Sequence, residues 1–150
     1  MREFRRVLLL MMLCCVGCAA SVPLAPPELD QVAKHFQAPV GEALLYVVRR
    51  PGEEMMPIFQ VVVDRKILGS LAPGTYLVIP VTPGPHRIAS FTADNQVEVT
   101  VIAHEGTLYF LQMSTQMGEN AIRVHLETLD AAAGREAVQA AVRAQGLTTY

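Results

Sequence analysis

Four histidines are the first residues that could do chemistry: His35, His86, His104 and His125. A zinc site needs three nitrogen or oxygen ligands in tight geometry. The histidines are spread along the chain, so no metal-ligand spacing is present. A small periplasmic hydrolase could instead pair His86 or His104 with a carboxylate as a general base. That reading requires a cleft holding one of them within hydrogen-bond reach of Asp or Glu. Glu53-Glu54 beside Arg49-Arg50 reads as a solvated loop, while Glu98 and Glu105 stand apart. Ser21, Ser70, Ser90 and Ser114 lie in no G-x-S-x-G or S-x-x-K motif. Phosphate-loop and dinucleotide fingerprints are absent. Met55-Met56, Met113 and Met117 would make a soft-metal set only if two loops converged, and core filling is their simpler role. No catalytic residue, metal ligand or cofactor is expected.

The cysteines carry a different chemistry. Arg2, Arg5 and Arg6 precede an apolar run from Val7 to Val16. As a helix it would span about 15 Å, half a bilayer's hydrocarbon core, so it suits a secretory signal and not a membrane span. The run ends in Cys15-Val16-Gly17-Cys18-Ala19-Ala20-Ser21. This resembles the lipobox of bacterial lipoproteins, with Cys15 standing where Leu is usual. The resemblance implies a signal peptide over residues 1–17, cleavage between Gly17 and Cys18, and acyl chains such as palmitate on Cys18. An ordinary signal peptide cut near Ala19 or Ala20 is the alternative. Two or three acyl chains make membrane attachment effectively permanent, where one is marginal. Ala19, where retained lipoproteins of enteric Gram-negative bacteria have Asp, favours the outer membrane. Cleavage removes Cys14 and Cys15 and lipid blocks Cys18, leaving no thiol nucleophile and no disulfide.

With 150 residues, 51% of them hydrophobic and 17% charged, the chain can build one domain with a core. Loss of Arg2, Arg5, Arg6 and Glu3 takes twelve basic and fourteen acidic residues to nine and thirteen, a formal −4. That balance argues against nucleic acid as a partner. No Trp and few aromatics argue against a stacking platform for sugars or bases.

Residues 18–41 read as the lipidated cysteine, a Pro-rich tether over Ser21–Pro27, and a short helix over Glu28–Phe36. The tether should hold the domain off the membrane. Leu29, Val32, Ala33 and Phe36 share one helical face. Residues 42–128 read as short strands separated by Gly/Pro turns, an all-β antiparallel sandwich with sheet edges open to strand addition. Ala43–Arg49 is a continuous apolar run and so a central strand covered on both faces. Gln96–Ile102 and Asn120–Glu127 alternate apolar and polar. Gly69 marks a bend or bulge, and Pro73-Gly74 and Pro83-Gly84 each suit a type II turn. Residues 129–150 read as a helix over Asp130–Ala144, with Val138 and Val142 on one face and Gly146 as its cap, then a tail.

The segments Tyr46-Val47-Val48-Arg49, Val62-Val63-Asp64, Ile67-Leu68-Gly69, Gly74-Thr75-Tyr76 and Pro83-Gly84-Pro85-His86 resemble a family of small bacterial lipoproteins, "domain of unknown function 2846". The resemblance covers residues 42–128 and implies an immunoglobulin- or transthyretin-like sandwich. Arg65 departs from it, standing where the family usually has Gly. The family lends no catalytic residues.

The expected protein is a lipid-anchored envelope component, best described by its address: outer membrane, facing the periplasm. Its sandwich would be a non-catalytic binding or structural domain. Alternatively it is a subunit of an envelope assembly, docking on an unknown protein partner through its N-terminal helix or a sheet edge.

Overall fold

The computed structural model describes residues 21–52 and 57–147. Helix α1 (Pro27–Ala33) leads into strands β1 (Ala43–Arg49), β2 (Phe59–Val63), β3 (Lys66–Leu71), β4 (Thr75–Val81), β5 (Gly84–Phe91), β6 (Gln96–Ala103), β7 (Leu108–Met117) and β8 (Ile122–Leu129). Helix α2 (Ala131–Gln139) and the two-residue strand β9 (Val142–Arg143) follow. The strands form two sheets, ordered β8-β7-β1-β4-β9 and β3-β2-β5-β6. Over the described residues the protein is therefore mostly β, a two-sheet sandwich with two short helices.

Strand β1 is buried over its whole length. Ala43, Leu45 and Val47 join the core between the sheets, with Val61, Ile88, Leu111 and Val124. Leu44, Tyr46 and Val48 join a second cluster with Ala33, Ala137 and Val138 of the two helices. Apolar residues on both faces are what produced the continuous run.

The pairing is mixed, not purely antiparallel. Strand β7 runs parallel to β1, with Leu44 opposite Leu108. The chain reaches β7 at the end where β1 begins, and Gly106 N–H donates to the Glu42 carbonyl at 2.8 Å. Strand β9 is parallel to β4.

The Pro-rich tether is also corrected. Val22 is buried in the core between the sheets. Gln145 N–H donates to the Pro23 carbonyl at 2.8 Å and Ala25 N–H to the Arg143 carbonyl at 2.9 Å. Residues 22–25 thus continue the sheet beyond β9. Pro23 accepts there through its carbonyl but has no N–H to return to Gln145, so the pairing is limited to these two bonds.

Both helices are shorter than the apolar spacing suggests. Helix α1 ends at Ala33. Leu29 and Val32 stay 46% and 62% exposed, so the expected shared face does not pack as a unit. Phe36 adopts φ 55°. Its ring instead meets Tyr46 and Phe110 at 5.5 and 6.0 Å. Helix α2 begins at the Asp130 cap, whose carboxylate accepts from Ala132 and Ala133 N–H. It stops before Val142, because Val142 N–H donates to Gly74 and Ala144 N–H to Tyr76 along the edge of β4. Gly146 lies beyond β9 and caps no helix.

The turn residues divide. Thr75 N–H donates to the Ala72 carbonyl and Gly74 has φ 75°, the type II turn expected at Pro73-Gly74. Pro83-Gly84 is not such a turn: the residue after Gly84 is Pro85, which has no N–H to close it. A register shift between Val61 and Val62 leaves Leu68 as the extra residue of a bulge beside Gly69.

Candidate functional site

The β2–β3 hairpin turns through Asp64 and Arg65, with φ 49° and 69°. Two central residues with positive φ make a type I′ turn. The neighbouring β5 holds Asp64 in it: Asp64 N–H donates to the Arg87 carbonyl at 2.9 Å. Arg87 N–H returns a bond to Asp64 Oδ1 at 3.0 Å.

This hairpin delivers Asp64 Oδ2 to His86 Nδ1 at 2.6 Å. His86 Nε2 lies 2.7 Å from the Thr82 carbonyl. Both partners are acceptors, so a proton on each ring nitrogen satisfies both, and the arrangement favours the imidazolium. Burial pushes the His86 pKa down, but the bonds to Asp64 and Thr82 and the Asp64 charge outweigh it and raise it. Burial pushes the Asp64 carboxyl up, but the Arg87 N–H, the His86 bond and the charges of His86 and Arg65 hold it below its ordinary value. A general base needs a free lone pair, and in this arrangement His86 has none. Its chemistry is that of a cationic strut between two turns.

Beside the strut, the outer face of the four-stranded sheet forms a shallow depression of about 580 Å³. Asp64, Arg65, Arg87 and Glu98 line it around Val62 and Ala89. Arg87 Nε is 3.7 Å from Glu98 Oε1, a loose and exposed pair. The surface offers hydrogen-bond donors and acceptors of both signs.

The remaining candidates are dispersed. His35, His104 and His125 are exposed. Glu105 accepts from Gly41 N–H and Ser90 donates to the Gln60 carbonyl. Met113 fills the core, whereas Met117 is 63% exposed. Among the described residues, no three His, Cys, Asp or Glu side chains are placed to hold a metal. Gly17, Cys18, Glu53, Glu54, Met55 and Met56 lie outside the described residues.

Two polar centres are not evident in the sequence pattern. Arg49 is fully buried, not solvated. Its Nη1 donates to the Pro57 carbonyl at 2.6 Å and its guanidinium lies 5.1 Å from the Phe59 ring centre. Its place on the inward side of β1, two residues after Val47, is the signal that could have revealed it. The second centre is Asp30, which accepts from Lys34 Nζ, Tyr76 OH and Arg143 N–H. Burial pushes its carboxyl up, but these donors hold it below the usual range. The Asp30–Lys34 spacing was visible; the other two donors are long-range. Tyr46, whose hydroxyl donates to the Ala33 carbonyl, is pushed up to about 12 by burial.

The chain is similar to an uncharacterized protein of Haemophilus influenzae, with 24% identity over 124 residues, covering 82% of this chain and 74% of the relative. No protein-family model matches the chain. No solved structure matches it.

Proposed function

We propose that the chain is a lipoprotein anchored through Cys18 to the outer membrane and facing the periplasm. Its β-sandwich serves as a non-catalytic binding or structural domain, of the immunoglobulin- or transthyretin-like type that the "domain of unknown function 2846" resemblance implies. One observation carries this reading: the basic n-region and apolar run end at Gly17-Cys18, four residues before Val22, which is buried in the core. The hydrolase reading draws support from the close approach of His86 to Asp64. It is disfavoured because Thr82 occupies the other ring nitrogen.

The test is intact mass with membrane fractionation, comparing wild type and Cys18→Ser in a Gram-negative host. Expected is a chain that starts at Cys18, carries acyl mass and sediments with the outer membrane, with both properties lost in the variant. An unmodified soluble wild-type chain starting after Cys18 overturns the reading.

A further inference from the structure

The docking of residues 22–25 changes what an anchor at Cys18 can do. Ala19, Ala20 and Ser21 alone separate Cys18 from buried Val22. Fully extended, that connection reaches at most about 14 Å. A domain of this size has a radius of gyration of about 14 Å, so the connection keeps the attachment point within about one such radius of the bilayer. The part of the protein nearest the anchor is the part held closest to the lipid surface.

That part carries exposed apolar side chains. Leu24 is 52% exposed in the docked segment, and Leu29 and Val32 are 46% and 62% exposed. Leu29 and Val32 stand three residues apart on α1, so they share a helix face. Arg143 ties the segment to the helix. Its carbonyl accepts from Ala25 N–H, and its guanidinium donates to the Leu29 carbonyl at 2.9 Å. Asp30 fastens the helix to the same place by accepting from Arg143 N–H at 2.8 Å. The three apolar residues therefore belong to one braced edge of the sandwich.

We propose that this edge lies on the bilayer, with Leu24, Leu29 and Val32 seated among the lipid headgroups. The proposal rests on lipidation at Cys18. It turns the N-terminal segment from a spacer into a seat that fixes the domain's orientation. The His86 end of the molecule and the outer face of the four-stranded sheet are not part of this seat.

The experiment uses the full-length chain purified from membranes. Leu24→Cys, Val32→Cys and Phe91→Cys each supply one reactive thiol, since lipid blocks Cys18. Phe91 is a comparably exposed residue on the other sheet. Each variant is labelled with an environment-sensitive fluorophore and placed in phosphatidylethanolamine–phosphatidylglycerol vesicles with brominated acyl chains. Positions 24 and 32 should be quenched at least about twofold more than position 91, because an apolar face at an interface sits 5–10 Å into the headgroup boundary. Equal quenching at all three positions, or at none, overturns the proposal in a sample whose mass shows acyl chains. Protein crosslinks from position 32 without lipid quenching would assign the edge to a protein partner and also overturn it. A sample without acyl mass removes the lipidation reading itself, and the seat with it.

Discussion

Asn95 binds both backbone groups of Val124: its amide Nδ2 donates to the Val124 carbonyl at 2.7 Å, and its Oδ1 accepts the Val124 N–H at 3.0 Å. One side chain thus occupies the middle of the otherwise unpaired edge of β8. Two more edges carry contacts. Residues 22–25 cover β9, and Leu147 N–H donates to Leu68 of β3 at 2.8 Å. Of the four edge strands β8, β9, β3 and β6, β9 is covered and β8 and β3 are touched at single points, so the expectation of sheet edges open to strand addition is corrected at β9.

Asn95→Ala should cost about 1–2 kcal/mol, because it removes two bonds and strands both Val124 groups. Asn95→Asp keeps the acceptor and loses the donor, placing a carboxylate against a carbonyl. Urea denaturation should rank wild type above both variants. Stability unchanged in both would show that water replaces Asn95 without loss.

The His86–Asp64 pair should make stability depend on pH from both sides. The His86 pKa is raised above 6.5. Its contribution is complete below 6.5 and is lost as pH rises through the raised value. The Asp64 pKa is lowered below 3.8, so its contribution is complete above 3.8 and is lost as pH falls through the lowered value. Between those two limits both contributions are present. In Asp64→Asn, NMR titration should show the His86 pKa falling, and the stability lost above pH 6.5 should shrink. A His86 titration curve indifferent to Asp64→Asn would refute the pairing.

Arg65 occupies a position that suits glycine, with φ 69°. A side chain there costs about 1 kcal/mol of strain. Arg65→Gly should stabilise the protein by about 0.5–1 kcal/mol, the gain from relieved strain exceeding the entropy that glycine adds to the unfolded chain. Thermal denaturation measures this directly, and a lowered midpoint would mean that Arg65 makes compensating contacts.

Gly134 sits where α2 crosses β7, and a Cβ there would overlap the Phe110 ring. Gly134→Ala should therefore destabilise by about 1–3 kcal/mol, even though alanine is the better helix former by about 1 kcal/mol. In a Phe110→Leu background the penalty should shrink, since the two residues share one volume. Equal penalties in both backgrounds would place the strain elsewhere.

The strand pattern was legible because its signals are local. Val97, Val99 and Val101 alternate with Gln96, Glu98 and Thr100, and all three valines pack on the core. Ala43–Arg49 announced a strand covered on both sides by being apolar almost throughout. Pro73-Gly74 determined its own turn, because proline restricts φ and glycine accepts the positive value. The candidate histidines were legible as residues but not as a site. Nothing near His86 in sequence shows that Asp64 meets it, and Asp64 does so only because β2 pairs with β5.

What the sequence determined by itself was which faces are apolar and where the chain can turn, since side-chain type and backbone sterics act within a few residues. Tertiary structure decided which edges meet. It took Val142 out of a helical pattern because β4 had unpaired backbone groups to satisfy. It drew residues 22–25 onto β9, more than a hundred residues away in the chain, for the same reason. Such choices depend on hydrogen-bonding groups left over after the local elements form, and those exist only once the sheets have assembled.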